Sequence, residues 1–233
     1  MPKELFRLLV CQYLAWMTIF SISLFFTDYV AQSIYKGDPS AAANSTEFMN
    51  YDEGVRMGCW CLLSISMTSA VSAVILEKFL LNIFSARTLY VFTHLVYGVC
   101  MGVVYFQTNI YIIMALSSSL GIVLTANYTL PYQVISEFHE DKLYRLQSAP
   151  GTKRGIGTDC ALLSSVYFLS QFTVAAVTGL LTSNFGNSVI IIFSSLLAFS
   201  LCLWVSIFMI FPKPQNLKTN PNQGAHNQSY NPS

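Results

Sequence analysis

Four stretches of this chain carry no formal charge, and their lengths restrict what it can fold into. Leu8–Thr27 and Met57–Leu76 are each about 20 residues long. Thr88–Ser136 is uncharged apart from His94, and Cys160–Pro212 is uncharged throughout. A helix needs about 20 apolar residues to cross a bilayer. The two longer stretches are roughly twice that, and each has a polar break near its middle, at Gln107-Thr108-Asn109 and at Ser183 to Asn187. The sequence therefore predicts an all-α membrane protein with six spans, near 8–28, 56–76, 88–106, 110–136, 159–182 and 188–211. With 54% hydrophobic and only 10% charged residues, the chain should place its few charges in loops.

Six spans place both termini on one side, and the basic residues say which. Lys3, Arg7, Lys78, Arg87, Lys142, Arg145, Lys153, Arg154, Lys213 and Lys218 fall on the face of the termini, and only Lys36 and Arg56 on the other. The termini are expected to be cytoplasmic. Of the sequons at Asn44, Asn127 and Asn227, only Asn44 falls in an outer loop, where a glycan can be added. The first apolar run is too long for a typical signal-peptide core and no small-residue cleavage site follows it, so it reads as its own insertion signal. Residues 212–233 are rich in Asn, Pro, Gln and Ser and read as a disordered cytoplasmic tail. The six cysteines (11, 59, 61, 100, 160 and 202) lie inside or at the edge of spans. They read as small buried hydrophobes.

Charges at the membrane edge are the first candidates for function. Arg56 is expected in the first turn of the second span, where the helix dipole disfavours a cation and the positive-inside bias is violated. Asp28, at the outer end of the preceding span, should lie at similar depth and pair with it. The alternative for Arg56 is a snorkelling anchor at the headgroups. Asp52, Glu53 and Asp159 read as N-caps or dipole-compensating carboxylates; Asp159 could also take and release protons. Glu77 and Lys78 close the second span and Arg87 opens the third, so a charged cluster could latch the cytoplasmic side. Gln12, His94, Asn127, Gln133 and Gln171 are polar groups within spans. Amides can both donate to and accept from sugar hydroxyls, or simply hold helices together. Pro131 frees a backbone carbonyl one turn earlier, so Asn127 to Pro131 reads as a helix break lining a cavity. His-Glu-x-x-His, Gly-rich phosphate loops and serine elbows are absent from the sequence, and nothing in it calls for a metal, a cofactor or nucleic acid.

Several segments together resemble one family. Leu24-Phe25-Phe26-Thr27-Asp28-Tyr29 is similar to the Thr-Asp-Phe/Trp segment in the seventh helix of animal solute carrier family 45 and plant sucrose transporters. Gly37-Asp38-Pro39, Asn44 to Phe48 and Tyr51 to Trp60 resemble the next loop and helix of the animal branch. Arg87-Thr88-Leu89-Tyr90, Leu130-Pro131-Tyr132 and Arg154 to Asp159 extend the likeness over roughly residues 5–211. The greatest likeness is to the proton-associated sugar transporters. The resemblance implies a major facilitator fold of two six-helix bundles, alternating access, and proton-coupled symport of sucrose- or glucose-like sugars across the plasma membrane or a vesicular membrane. It implies that this chain is the second bundle, with the first supplied by a longer chain or a partner. It carries over to Asp28, Arg56, the Pro131 segment and Asp159. The turn from Glu77-Lys78 to Arg87 resembles the superfamily's Asp-Arg-x-Gly-Arg loop but is longer and lacks the glycine. A carrier of another small solute, such as a polyamine, and a non-transporting fragment that associates with full-length relatives are the other readings.

Overall fold

A computed structural model describes residues 3–80, 83–140 and 155–208, without the side chains of 79, 80 and 137–140. The helices are α1 (Lys3–Ser23), α2 (Phe26–Asp28), α3 (Thr46–Ile75), α4 (Ala86–Val104), α5 (Ile110–Ser117), α6 (Ser119–Glu140), α7 (Ile156–Phe185) and α8 (Val189–Phe208). α2 runs into a π-helical turn, Tyr29–Ile34, and α3 into another, Leu76–Leu80. Counting α5 with α6 as one segment, six are long and apolar enough to cross a membrane. The protein is an all-α integral membrane bundle.

Its outside is greasy and its inside partly polar. Phe92, Val99, Phe172, Leu180, Leu196 and Leu203 face outward, while Thr18, Ser21, Thr93, His94 and Ser194 are buried. Lipid cannot hydrogen-bond, so the hydroxyls turn inward to helix carbonyls. Thr18 donates to Leu14 O at 3.0 Å and Ser195 to Gly98 O at 2.9 Å. α1 is the central helix, packed against α6, α7 and α8. Two-thirds of its spanning window is buried (67%), against 17% for the spanning parts of α3 and α7. Those two helices leave most of their surface uncovered by this bundle.

Close helix approach is set by glycines. A Cβ on Gly121 of α6 would fall on the Ile65 carbonyl oxygen of α3 and 2.8 Å from Ser69 N. Around that contact, hydroxyls pair across the two helices: Ser64 with Ser118 at 3.1 Å, and Thr125 with Ser69 and Ser72 at 3.1 and 2.9 Å. Gly54 and Gly58, spaced as Gly-x-x-x-Gly, seat α3 on the chain after α1. A Cβ at Gly54 would lie 2.5 Å from Ala31 Cα, and one at Gly58 3.0 Å from Thr27 Cα.

Two predicted breaks coincide with helix ends. Asn109 caps α5 by accepting from Tyr111 N–H at 3.0 Å, and Gly186 ends α7 at φ +80°, a conformation glycine adopts without a Cβ penalty. Two boundaries differ from expectation. Hydropathy predicts a first span over 8–28, yet α1 stops at Ser23 and the chain turns at Leu24-Phe25. Both residues are apolar, so hydropathy has no signal there; the turn lays Thr27 and Ala31 against Gly58 and Gly54. Hydropathy predicts a second span from 56, yet α3 begins at Thr46, with Ser45 Oγ accepting from Phe48 N–H at 3.2 Å. Hydropathy marks only the apolar part of a helix, and the first turns of this one carry Glu47, Asp52 and Glu53. Asp52 and Glu53 are therefore not caps, and Arg56 lies well inside the helix, clear of its N-terminal dipole. The tail, 212–233, and most of the 137–158 loop lie outside the described residues.

Candidate functional site

A cavity of about 270 Å³ opens between α1, α6 and α7, lined by Trp16, Tyr128, Tyr132, Leu163, Ser164, Tyr167 and Phe168. Helical spacing builds it: Tyr128 and Tyr132 are one turn apart on α6, and Leu163-Ser164 and Tyr167-Phe168 one turn apart on α7. Trp16 is the centre of the ring cluster. It packs edge to face on Tyr128 with centroids 5.0 Å apart, edge to face on Tyr167 at 4.7 Å, and stacks on Phe20 at 5.5 Å. Trp16 is 4% exposed whereas Tyr128 is 57% exposed, so one ring forms the fixed wall and the other the open rim. Tyr13 on α1 donates from its hydroxyl to Thr173 Oγ1 on α7 at 3.0 Å, pinning the two walls together. The lining holds aromatic faces, phenol hydroxyls and Ser164, and no formal charge. Such a surface can stack on an apolar ring face and hydrogen-bond its edges.

The residues singled out in the sequence divide around this cavity. Asn127 precedes Tyr128 and is fully buried. Its backbone carbonyl is the one Pro131 leaves without an N–H partner, and Gln12 Nε2 on α1 donates to it at 3.3 Å. α6 runs on through Pro131, so the freed carbonyl is satisfied by a neighbouring helix rather than by opening the chain. Gln133 is half-buried and makes interactions of its own. Gln171, half-buried, continues the Ser164 and Tyr167 stripe one turn further along α7. Asp159 sits in the first turn of α7, with Gly155 at the cap position. It is not the cap, but a fully buried and engaged carboxylate one turn below Leu163.

The charged candidates lie at the two ends of the bundle. Asp28 and Arg56 do not pair. Half-buried Asp28 accepts from Tyr51 Oη at 3.1 Å, because Gly54 and Gly58 bring that face of α3 against the chain after α1. Arg56 points the other way and bonds Glu53 Oε1 at 3.2 Å, both side chains more than half exposed. An exposed pair three residues apart adds only a few tenths of a kcal/mol. At the opposite end Glu77 and Lys78 lie in the π-helical turn. Arg87 forms no ion pair with Glu77 among the described residues. Its guanidinium donates to Ser206 O, in the last turn of α8, at 2.6 Å, a cation meeting a helix C-terminus. His94 is fully buried: its ring lies 4.6 Å from that of Tyr90, whose carbonyl accepts from Nδ1 at 2.9 Å, while Nε2 has no hydrogen-bond partner among the described residues. In the loop between the first two spans Asn44 is exposed. Nearby, Ser40 bonds the Asp38 carboxylate with its hydroxyl at 2.6 Å and its N–H at 2.8 Å, holding that pKa below the usual carboxylate value.

Sequence reasoning missed the aromatic cluster. A signal for it existed. Trp and Tyr usually collect at the membrane interfaces, whereas Trp16, Tyr128, Tyr132 and Tyr167 fall within the predicted spans.

No protein-family model matches the chain. It is 38% identical to human proton-associated sugar transporter A over 92% of its length, 36% identical to human solute carrier family 45 member 4 over 91%, and 33% identical to human membrane-associated transporter protein over 90%. These alignments cover 29%, 28% and 40% of the respective relatives, so the chain spans less than half the length of the proteins it matches. At 33–38% identity over at least nine-tenths of its residues, the chain belongs to solute carrier family 45.

Proposed function

We propose that this segment is one six-helix lobe of a proton-coupled sugar carrier, the C-terminal bundle of a major facilitator fold, and that it binds its sugar in the aromatic cavity between α1, α6 and α7. The observation that carries the reading is that cavity: a ring-lined, uncharged pocket with hydroxyls at its edges. Sugar rings present apolar C–H faces and a hydroxyl rim, and both find partners there. Relatives named as proton-associated sugar transporters support the same substrate class.

A single bundle cannot alternate access alone, because one lobe must rock against another. The sparse burial of α3 and α7 supports a second lobe, from the same longer chain or a partner, seated against them. In this reading Arg56 and Glu53, on the uncovered face of α3, meet that lobe at the outer gate. Asp28 and Asp159 are the carboxylates that exchange the proton, with Asn127, Gln133 and Gln171 along the sugar path. Glu77, Lys78 and Arg87 bound the cytoplasmic end.

Reconstituted in vesicles, the full-length protein should take up radiolabelled glucose or sucrose faster under an inward proton gradient, and a protonophore should abolish the difference. Uptake indifferent to the gradient removes the coupling; no saturable uptake of either sugar removes the substrate class. The orientation has its own test. With the termini cytoplasmic, Asn44 carries the glycan, so glycosidase should increase gel mobility and Asn44→Gln should eliminate that shift. A shift that survives the substitution reverses the topology.

A further inference from the structure

Where Pro131 interrupts the α6 hydrogen-bond ladder, the Gln12 side chain meets the Asn127 backbone carbonyl, and three amide atoms of the two side chains are left unmatched. Gln12 Nε2 donates to Asn127 O at 3.3 Å. That bond fixes the Gln12 amide, since a flipped amide would set two acceptor oxygens against each other. Gln12 Oε1, Asn127 Oδ1 and Asn127 Nδ2 are buried with no hydrogen-bond partner among the described residues. Gln12 is 2% exposed and Asn127 0%. Gln12 lies one turn from Trp16 toward the start of α1, and Asn127 directly precedes Tyr128. Gln12 and Asn127 thus adjoin two lining residues, Trp16 and Tyr128, along their own helices, and lie fully buried behind the residues that line the cavity.

This set is chemically selective. Its complement must donate to two oxygens and accept from one N–H. A carboxylate only accepts and an ammonium only donates, whereas a hydroxyl does both. We propose that Gln12 and Asn127 form a hydroxyl-recognition subsite beneath the aromatic cavity, which takes ring hydroxyls of a neutral sugar and rejects amines and acids. The proposal rests on the sugar-carrier reading and deepens it. Trp16 and Tyr128 grip the ring face, and the amides read the hydroxyls.

The test is uptake of glucose and of each mono-deoxyglucose by the full-length protein in vesicles, comparing wild type with Asn127→Leu and Gln12→Met. The wild type should prefer glucose over at least one deoxy analogue by about fivefold to tenfold in KM, as expected for one or two neutral hydrogen bonds. Each variant should raise the KM of glucose to that of the analogue and leave the analogue unchanged. Asn127→Ser, which keeps a donor and an acceptor, should retain part of the preference. If Asn127→Leu does not reach the vesicle folded, Asn127→Ala against Asn127→Ser makes the same comparison. Variants that raise both KM values equally, or neither, overturn the subsite and leave the amides as helix-packing groups. So does a wild type that treats every deoxy analogue as it treats glucose. A wild type that takes up no sugar overturns the carrier reading itself, and the subsite with it.

Discussion

Gly121→Val should force α3 and α6 apart and destabilise the bundle by about 3 kcal/mol or more. The side chain has nowhere to go. Its Cβ would land on the Ile65 carbonyl oxygen and against Ser69 N, and both are backbone atoms of a helix that cannot rotate a rotamer out of the way. The penalty includes what surrounds the contact. Ser64–Ser118 and the two bonds from Thr125 to Ser69 and Ser72 hold only while the backbones stay close, at roughly 0.6 kcal/mol each for interhelical bonds in membrane proteins. The measurement is thermal unfolding in detergent. Ser69→Ala is the control, removing one hydroxyl without a clash, and should cost less than about 1 kcal/mol. If Gly121→Val melts with the wild type, the two helices are not packed backbone to backbone.

Trp16→Ala should eliminate sugar binding and also weaken the fold. The indole is almost fully buried and touches Phe20, Tyr128 and Tyr167, so truncation opens a cavity worth about 3–5 kcal/mol. Loss of transport alone would therefore not separate a binding role from a packing role. Tyr128→Ala makes the separation. Tyr128 is 57% exposed, so its removal should leave the melting temperature nearly unchanged. It should still raise the KM for glucose by about tenfold, the equivalent of roughly 1.4 kcal/mol of lost ring contact. A Tyr128→Ala protein with wild-type KM would place the sugar elsewhere.

The membrane architecture was legible because charge is excluded from lipid. Uncharged runs gave the six segments, and Asn109 and Gly186 marked two of the breaks. What escaped the sequence depends on how helices meet. The turn at Leu24-Phe25 is apolar on both sides and leaves no trace in hydropathy. Hydropathy starts α3 at the membrane edge, which would set Arg56 beside Asp28; the Ser45 cap starts it ten residues earlier, at Thr46, and Tyr51 takes Asp28 instead. Pro131 declared that the Asn127 carbonyl needed a donor, but not that Gln12, 115 residues away, would supply it. The aromatic cavity was the least legible feature. Its rings come from three helices, and only tertiary packing joins Trp16 to Tyr128 and Tyr167.

Ser164 lines the cavity and is exposed, which makes it a reporter of occupancy. With the native cysteines replaced and Ser164→Cys introduced in the full-length protein, a small water-soluble thiol reagent should label that position. Saturating glucose or sucrose should slow the labelling several-fold, while an amine or carboxylate solute of similar size should not. Labelling at one rate with and without sugar would mean that the pocket between α1, α6 and α7 is not where this protein holds its substrate.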